Sequence, residues 1–158
     1  MIRAARDEDA PGIIALIAAC WSEYPGCVMD LDGEVPELRA LATYYVGRGG
    51  CAWVAQVAGE IVGSVGVAPV GDDTWEIGKM YVARADRGTG LAQALLAGAE
   101  GHAAERGAKA LCLWSDTRFE RAHRFYAARG YARTGESREL HDISGSVEHG
   151  FVKSLPLA

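Results

Sequence analysis

The order of hydrophobic patterns predicts an α/β (α+β) mixed sheet. A central, mostly antiparallel sheet is flanked by helices in the order β-α-α-β-β-β-α-β-α-β-β. Three observations carry the prediction. Runs rich in β-formers at 51–57, 61–67 and 75–82 follow one another with hairpin-length breaks, the pattern of an antiparallel meander. A helical run at 91–104 separates the third of these from another apolar run at 109–114, and such a strand–helix–strand unit crosses over right-handed and pairs in parallel. Two further strand-like runs, 131–137 and 147–154, close the chain.

Each element has a local reason. Residues 2–5 form a short first strand. Asp7 or Asp9 is placed to cap a helix reaching about Trp21, with Pro11 tolerated in its first turn. A loop over 21–27 leads into an acidic stretch holding Asp30, Asp32 and Glu34. A second helix runs over 36–46 and is ended by Gly47, Gly49 and Gly50. Ala58-Gly59-Glu60 and Gly71-Asp72-Asp73 turn the meander. Gly107 ends the crossover helix, and the run 109–114 is apolar nearly throughout, as a central strand should be. The last helix spans 117–129. Thr117 and Glu120 form a capping-box pattern at its start, and Gly130 stands at its end. A polar loop through His141 and Asp142 joins the last two strands.

Composition bounds the function. The chain of 158 residues is read as one domain, 1–158, long enough to bury a core. A net charge of −5 argues against nucleic acid as a partner. Lys79, Arg84 and Arg87 form a local exception that suits a small polyanion. The four cysteines make no CxxC pair and stand at no metal-ligand spacing with histidine, so no metal is expected. All four are read as reduced, with Cys112 in the core. Asp7, Glu8 and Asp9 precede the apolar run 13–20, unlike an export signal, and no run is long enough to cross a bilayer. The expectation is a cytoplasmic protein with no membrane partner.

The most informative stretch is 74–96, a strand, a basic loop, a glycine turn and a helix start. Gly88 and Gly90 let the backbone approach a ligand closely, and amides at the positive end of a helix bind phosphate without charged side chains. Three phosphate-binding patterns compete here. The P-loop pattern has no match. The dinucleotide fingerprint fails because Gly88-Thr89-Gly90-Leu91-Ala92-Gln93 ends in Gln, although Asp116 stands where a ribose-binding acid would. The pattern Arg-x-x-Gly-x-Ala is satisfied by Arg87, Gly90 and Ala92.

That third pattern resembles motif A of the GCN5-related N-acetyltransferases (GNAT). The strand ending Met80-Tyr81-Val82 sits at the family's distance before the arginine. Ala122 to Tyr126 followed by Gly130-Tyr131 resembles the family's A-x-x-x-Y-x-x-x-G-[FY] motif. The element order agrees as well. The resemblance implies acetyl-CoA as acyl donor. Main-chain groups of Met80 and Val82, around Tyr81, would pair with the pantetheine arm. Arg87 and the amides of Gly88, Thr89, Gly90, Leu91, Ala92 and Gln93 would hold the diphosphate. The thioester would lie where the strands 75–82 and 109–114 splay.

The implied reaction is direct attack of a neutral amine on the thioester, with an oxyanion stabilised by a strand N–H. Tyr126 matches the tyrosine that protonates the departing thiolate; otherwise it is a core aromatic sharing a helix face with Phe119 and Ala122. Glu76 is the candidate base; otherwise it is a solvated carboxylate or a partner for Lys79. His141 and Asp142 are a second candidate pair. Asp30, Asp32 and Glu34 would favour a cationic acceptor; otherwise they are a solvated loop. Trp21 and Tyr24 either wall the acceptor or staple the loop to the core. Phe119 departs from the family's pantetheine-contacting asparagine, so either Ser115 or Asp116 makes the polar contact or the cofactor leans on apolar packing. Two other classes remain open: a non-catalytic acyl-CoA-binding module and a nucleotide-binding oxidoreductase. The resemblance is compatible with a homodimer and with a small-molecule or peptide amine as acceptor.

Overall fold

The computed structural model describes residues 1–156. Seven strands form one sheet: β1 (Ile2–Ala4), β2 (Cys51–Val57), β3 (Glu60–Gly71), β4 (Thr74–Val82), β5 (Ala110–Asp116), β6 (Ala132–Glu139) and β7 (Val147–Ser154), in the spatial order β1-β2-β3-β4-β5-β7-β6. All neighbours pair antiparallel except β4 and β5, which are joined by helix α4 (Leu91–Glu105) and pair in parallel. The predicted meander and crossover are both present. β3 runs well beyond the expected 61–67, because Asp72 and Asp73 both adopt positive φ and make a tight hairpin that lets pairing continue to Gly71↔Thr74.

The other helices are α1 (Ala10–Ser22), α2 (Leu31–Glu34), α3 (Leu41–Gly47) and α5 (Glu120–Ala128). Three capping expectations are corrected. Asp9 accepts from the Arg6 amide and closes the 3₁₀ turn before α1 rather than capping α1 itself. Asp7 reaches across to accept from the Thr43 amide in the first turn of α3. α5 begins at Glu120, not Thr117, without the expected capping box. The Asp116 carboxylate instead takes the Arg118 amide, and the Thr117 amide is spent on Val147 O. The expected helix over 36–46 is a 3₁₀ turn, Pro36–Ala40, followed by α3, and the acidic stretch contains α2, capped by Asp30.

Two apolar clusters cover the two faces of the sheet. Ile13, Ile17, Leu38, Leu41 and Tyr45 pack with Val54 and Ala68 on one face. Leu95, Leu96, Ala99 and Tyr126 pack with Val65, Ile77, Leu111 and Phe151 on the other. Strand alternation therefore sends Trp75 and Ile77 toward α4 and α5, and Glu76 and Gly78 toward α3.

Candidate active site

The parallel pairing of β4 and β5 covers only Thr74↔Ala110, Trp75↔Leu111 and Glu76↔Cys112. Beyond Glu76 both strands continue, to Val82 and Asp116, without pairing to each other. A gap opens in the middle of the sheet, and Glu76 occupies the last rung before it. β4 is kinked there. Lys79 has φ +52, and the register with β3 slips between Ser64↔Tyr81 and Gly66↔Gly78, with the Ser64 hydroxyl donating to Lys79 O at 2.7 Å. The bulge sends Lys79 to the α3 face, where it meets Glu37 at 3.0 Å. Lys79 is thus not part of the basic cluster expected beside the glycine turn, and it is not the partner of Glu76.

On the α4–α5 side of the gap lies a cavity of ≈ 240 Å³, lined by Met80, Tyr81, Val82, Arg87, Gly88, Ala92, Phe119, Ala122 and Tyr126 among others. Gly88 and Gly90 take φ +78 and +86, which turns the chain into α4 with Gly90 as a left-handed N-cap bearing no side-chain cap. The Ala94 amide is bonded to Gly90 O, while the amides of 88–93 have no acceptor among the described residues. The Ala83 amide donates to Val62 O, so by antiparallel alternation the main-chain groups of Val82 point away from β3, toward the gap. The Val82 carbonyl is taken by Arg87 Nε at 3.2 Å, leaving its N–H.

Arg87 is not free for a phosphate. Its guanidinium makes two 2.7 Å bonds to Glu23 at the end of α1 and lies 3.7 Å from Cys20 Sγ. The fork–fork pair holds Glu23 below the ordinary carboxylate range. Arg87 therefore fixes the turn against α1. Tyr126 is 6% exposed, with its ring packed edge-on to Tyr131 and Phe125. Its hydroxyl has no hydrogen-bond partner among the described residues, and burial pushes the phenol pKa up, so it stays protonated. Phe119 lies 4.7 Å from Tyr24, ring to ring, and Asp116 is committed to Arg118. That leaves Ser115, or apolar packing around Phe119, for the contact expected there.

The other side of the gap is a polar cleft of ≈ 660 Å³, lined by Glu34, Glu37, Tyr45, Arg48, Glu76, Lys79, Arg138, Asp142 and Glu148 among others. Glu76 stands 3.9 Å from Arg48. Cys112, opposite Glu76 on β5, is half-buried rather than core; burial, with the Glu76 charge beside it, pushes its thiol up to about 11. Glu37 pairs with Lys79, and Glu148 with Arg138 at 2.7 Å. Among the described residues Glu34 and Asp142 face no cation within ion-pair distance, the cation that feels the Asp142 charge being Arg118, itself paired with Asp116. Glu34 accepts from the Ile143 amide, and Asp142 from Ser146. Partial burial opposes the charge on Asp142, but the Ser146 bonds outweigh it and keep the carboxyl low. Of the acidic stretch only Glu34 lines the cleft; Asp30 caps α2, and Asp32 meets Arg39 at the surface. His141 is 82% exposed at its side chain, 3.8 Å from Glu139. Trp21 both lines the cleft and donates from Nε1 to the Tyr81 hydroxyl at 2.9 Å.

Tyr126 and Glu76 thus sit on opposite faces of the sheet, at cavities that share Tyr81 and Phe119 as walls. Sequence reasoning missed Tyr45. The signal was present in Gly66 and Gly78, whose place in strand interiors marks a close approach. No helix of the described residues is long and apolar enough to cross a membrane, and no group of three or more potential metal ligands occurs among them.

Comparison with known proteins agrees with this fold. The model of the Acetyltransferase (GNAT) family matches residues 13–131. The Escherichia coli protein named uncharacterized N-acetyltransferase YjgM is 34% identical over 129 residues, 78% of this chain and 77% of its own. The probable N-acetyltransferase camello of Xenopus tropicalis is 30% identical over 89% of this chain, which spans 64% of that protein. A GNAT-family acetyltransferase from Staphylococcus aureus Mu50 superposes with a TM-score of 0.83 at 18% identity over 99% of both chains. The PaiA N-acetyltransferase of Thermoplasma acidophilum, in complex with coenzyme A, superposes at 0.79 and 15% identity over 98% of both. At these identities the two structures speak to the fold.

Proposed function

The chain belongs to the GNAT family of acetyltransferases, and we propose that it moves an acetyl group from acetyl-CoA to a primary amine, by direct attack in a ternary complex, with a cationic acceptor. The observation that carries this reading is the pair of cavities meeting at the gap beyond Glu76. One offers free amides and a neutral phenol; the other offers carboxylates.

The residues of the apolar cavity fit the donor. The amides of 88–93 point a diphosphate toward the N-terminus of α4. Met80 and the inward N–H of Val82 present an unpaired strand edge to the amides of a pantetheine arm. Acetyl-CoA supplies an activated thioester. A main-chain N–H of β4 in the gap stabilises the negative charge that develops on the carbonyl oxygen. Tyr126, held protonated by burial, gives its proton to the departing sulfur. On the other face Glu76 removes the proton of the arriving ammonium, directly or through a water. Glu34 and Asp142 leave the cleft with uncompensated negative charge, which favours a cationic acceptor.

The test is an amine panel with acetyl-CoA, reading CoA release. Turnover with cationic amines and little with neutral or acidic ones is expected. Coenzyme A binding without turnover of any amine would favour a non-catalytic acyl-CoA-binding module of the same fold.

A further inference from the structure

The floor of the polar cleft is built around one side chain that the reaction above does not use. Tyr45, on α3, is 3% exposed, with its ring close to Gly66 of β3 and its hydroxyl close to Gly78 of β4. Two glycines make room for it. A Cβ at Gly66 would overlap the ring, and a Cβ at Gly78 would stand 2.5 Å from the hydroxyl. Glycine weakens a strand interior, and two of them facing one ring mark a place where close approach is required. A buried phenol ordinarily has a partner. The Tyr45 hydroxyl has none among the described residues, and the side chain lines the cleft.

Its surroundings fix what it can meet. Gly78 lies two residues beyond Glu76, on the same face and about 7 Å along the strand. Arg48, just past α3, donates to the neighbouring Tyr44 hydroxyl at 2.9 Å and stands 3.9 Å from Glu76; it makes no hydrogen bond to Tyr45, and its charge only partly offsets the burial of the phenol. Burial, with Glu76 and Glu37 nearby, keeps the Tyr45 phenol protonated. It is therefore a neutral hydrogen-bonding group held rigidly beside the candidate base at the mouth of the gap.

We propose that Tyr45 positions the acceptor amine, its hydroxyl oxygen accepting an N–H from the nitrogen whose other proton passes to Glu76. The inference rests on the acyl-transfer reading above. One N–H bond breaks toward the Glu76 carboxylate, directly or through a water. The electron pair it leaves on nitrogen forms the new C–N bond as the C–S bond breaks and the thiolate takes the Tyr126 proton. The second proton that nitrogen sheds on becoming an amide returns through water to Tyr126, and the N–H held by Tyr45 keeps the nitrogen aimed at the gap.

The experiment is Tyr45→Phe, which keeps the ring in its glycine cradle and removes only the hydroxyl. Steady-state kinetics with spermidine, agmatine and lysine amide as probes should show KM for the amine raised about tenfold or more, as for loss of a hydrogen bond to a charged group. KM for acetyl-CoA and the thermal midpoint should stay at parent values. Gly66→Ala, which tilts the ring and keeps the hydroxyl, should raise amine KM in the same direction. An unchanged amine KM in Tyr45→Phe, beside a working parent, overturns the role of Tyr45 alone. A parent that turns over none of the amines overturns the acyl-transfer reading, and this inference with it.

Discussion

The two cavities at the split in the sheet are built by opposite means. The one holding Tyr126 is walled mostly by apolar side chains, and its polar capacity lies in the main chain: the amides after Gly88 and the free edge of β4. The one holding Glu76 is walled by side chains that carry charge, most of them paired with a neighbour, Glu34 and Asp142 excepted. A ligand read by main-chain groups can be served by a short contiguous stretch, because the turn geometry is the recognition. A ligand read by side chains needs groups brought from distant segments: Glu34 from α2, Arg48 from beyond α3, and Asp142 from the loop before β7. On the reading proposed above, the first arrangement fixes the donor, and the second is free to choose the acceptor.

The sharpest way to break this division is Tyr126→Phe. The ring keeps its edge contacts with Phe125 and Tyr131, so the fold should be unaffected. We expect kcat to fall roughly 10²- to 10⁴-fold, the usual worth of a positioned acid, with KM for acetyl-CoA unchanged. Full activity would mean that the apolar cavity only holds the donor and that all proton traffic runs on the polar side.

The next largest effect concerns the segment after β5 that walls the polar cleft. Asp116 is 7% exposed at its side chain and is gripped by Arg118 through two bonds of 2.9 and 2.8 Å, while Arg118 also reaches Ser144 and Ser146. Asp116→Ala removes the main partner of a partly exposed arginine, at a cost of about 1–3 kcal/mol in urea unfolding. It also frees the wall of the polar cleft, so amine KM should rise more than acetyl-CoA KM. The reverse ranking would contradict the assignment of the two sides. A smaller effect of the opposite kind is expected from Gly90→Ala. The left-handed φ of +86 costs an L-residue about 1–2 kcal/mol, and relieving that strain shifts the turn that presents the free amides. Acetyl-CoA KM should rise about tenfold in the same assay while amine KM stays put.

These contrasts also explain what the sequence disclosed. Gly88, Gly90, Ala92 and Tyr126 are legible because turn and helix periodicities act over a few residues, and all of them line or border the apolar cavity. The meander and crossover were legible for the same reason. The polar cleft was not. Lys79 reads as a neighbour of Arg87 along the chain, yet the bulge turns it to the other face to meet Glu37, 42 positions away. Asp30 and Asp32 read as an acceptor-facing group, yet local capping and the Arg39 pair consume them. Thr117 reads as a helix cap until Val147 claims its amide. For Lys79 and Thr117 a contact remote in sequence decided between local options of similar energy; for Asp30 and Asp32 nearby partners took the charge first.

One remote pair makes a prediction on the donor side. Arg87 follows the strand that carries the motif, but its guanidinium holds Glu23 on α1, which tethers the glycine turn to a helix otherwise packed on the opposite face. The hydrogen bonds from Arg87 outweigh partial burial and depress the Glu23 pKa in the folded protein. A depressed carboxyl pKa contributes stability that is complete above the unfolded value, about 4.3, and is lost as pH falls through the lower folded value. Glu23→Gln should therefore be less stable than the parent by about 1 kcal/mol at pH 6, and the gap should close toward pH 3 as the parent carboxylate is protonated. Urea midpoints at the two pH values provide the measurement. A gap that stays constant with pH would mean that shape, not charge, anchors the turn. Acetyl-CoA KM at pH 7 would then be expected to survive the substitution, whereas a charge tether predicts that it rises.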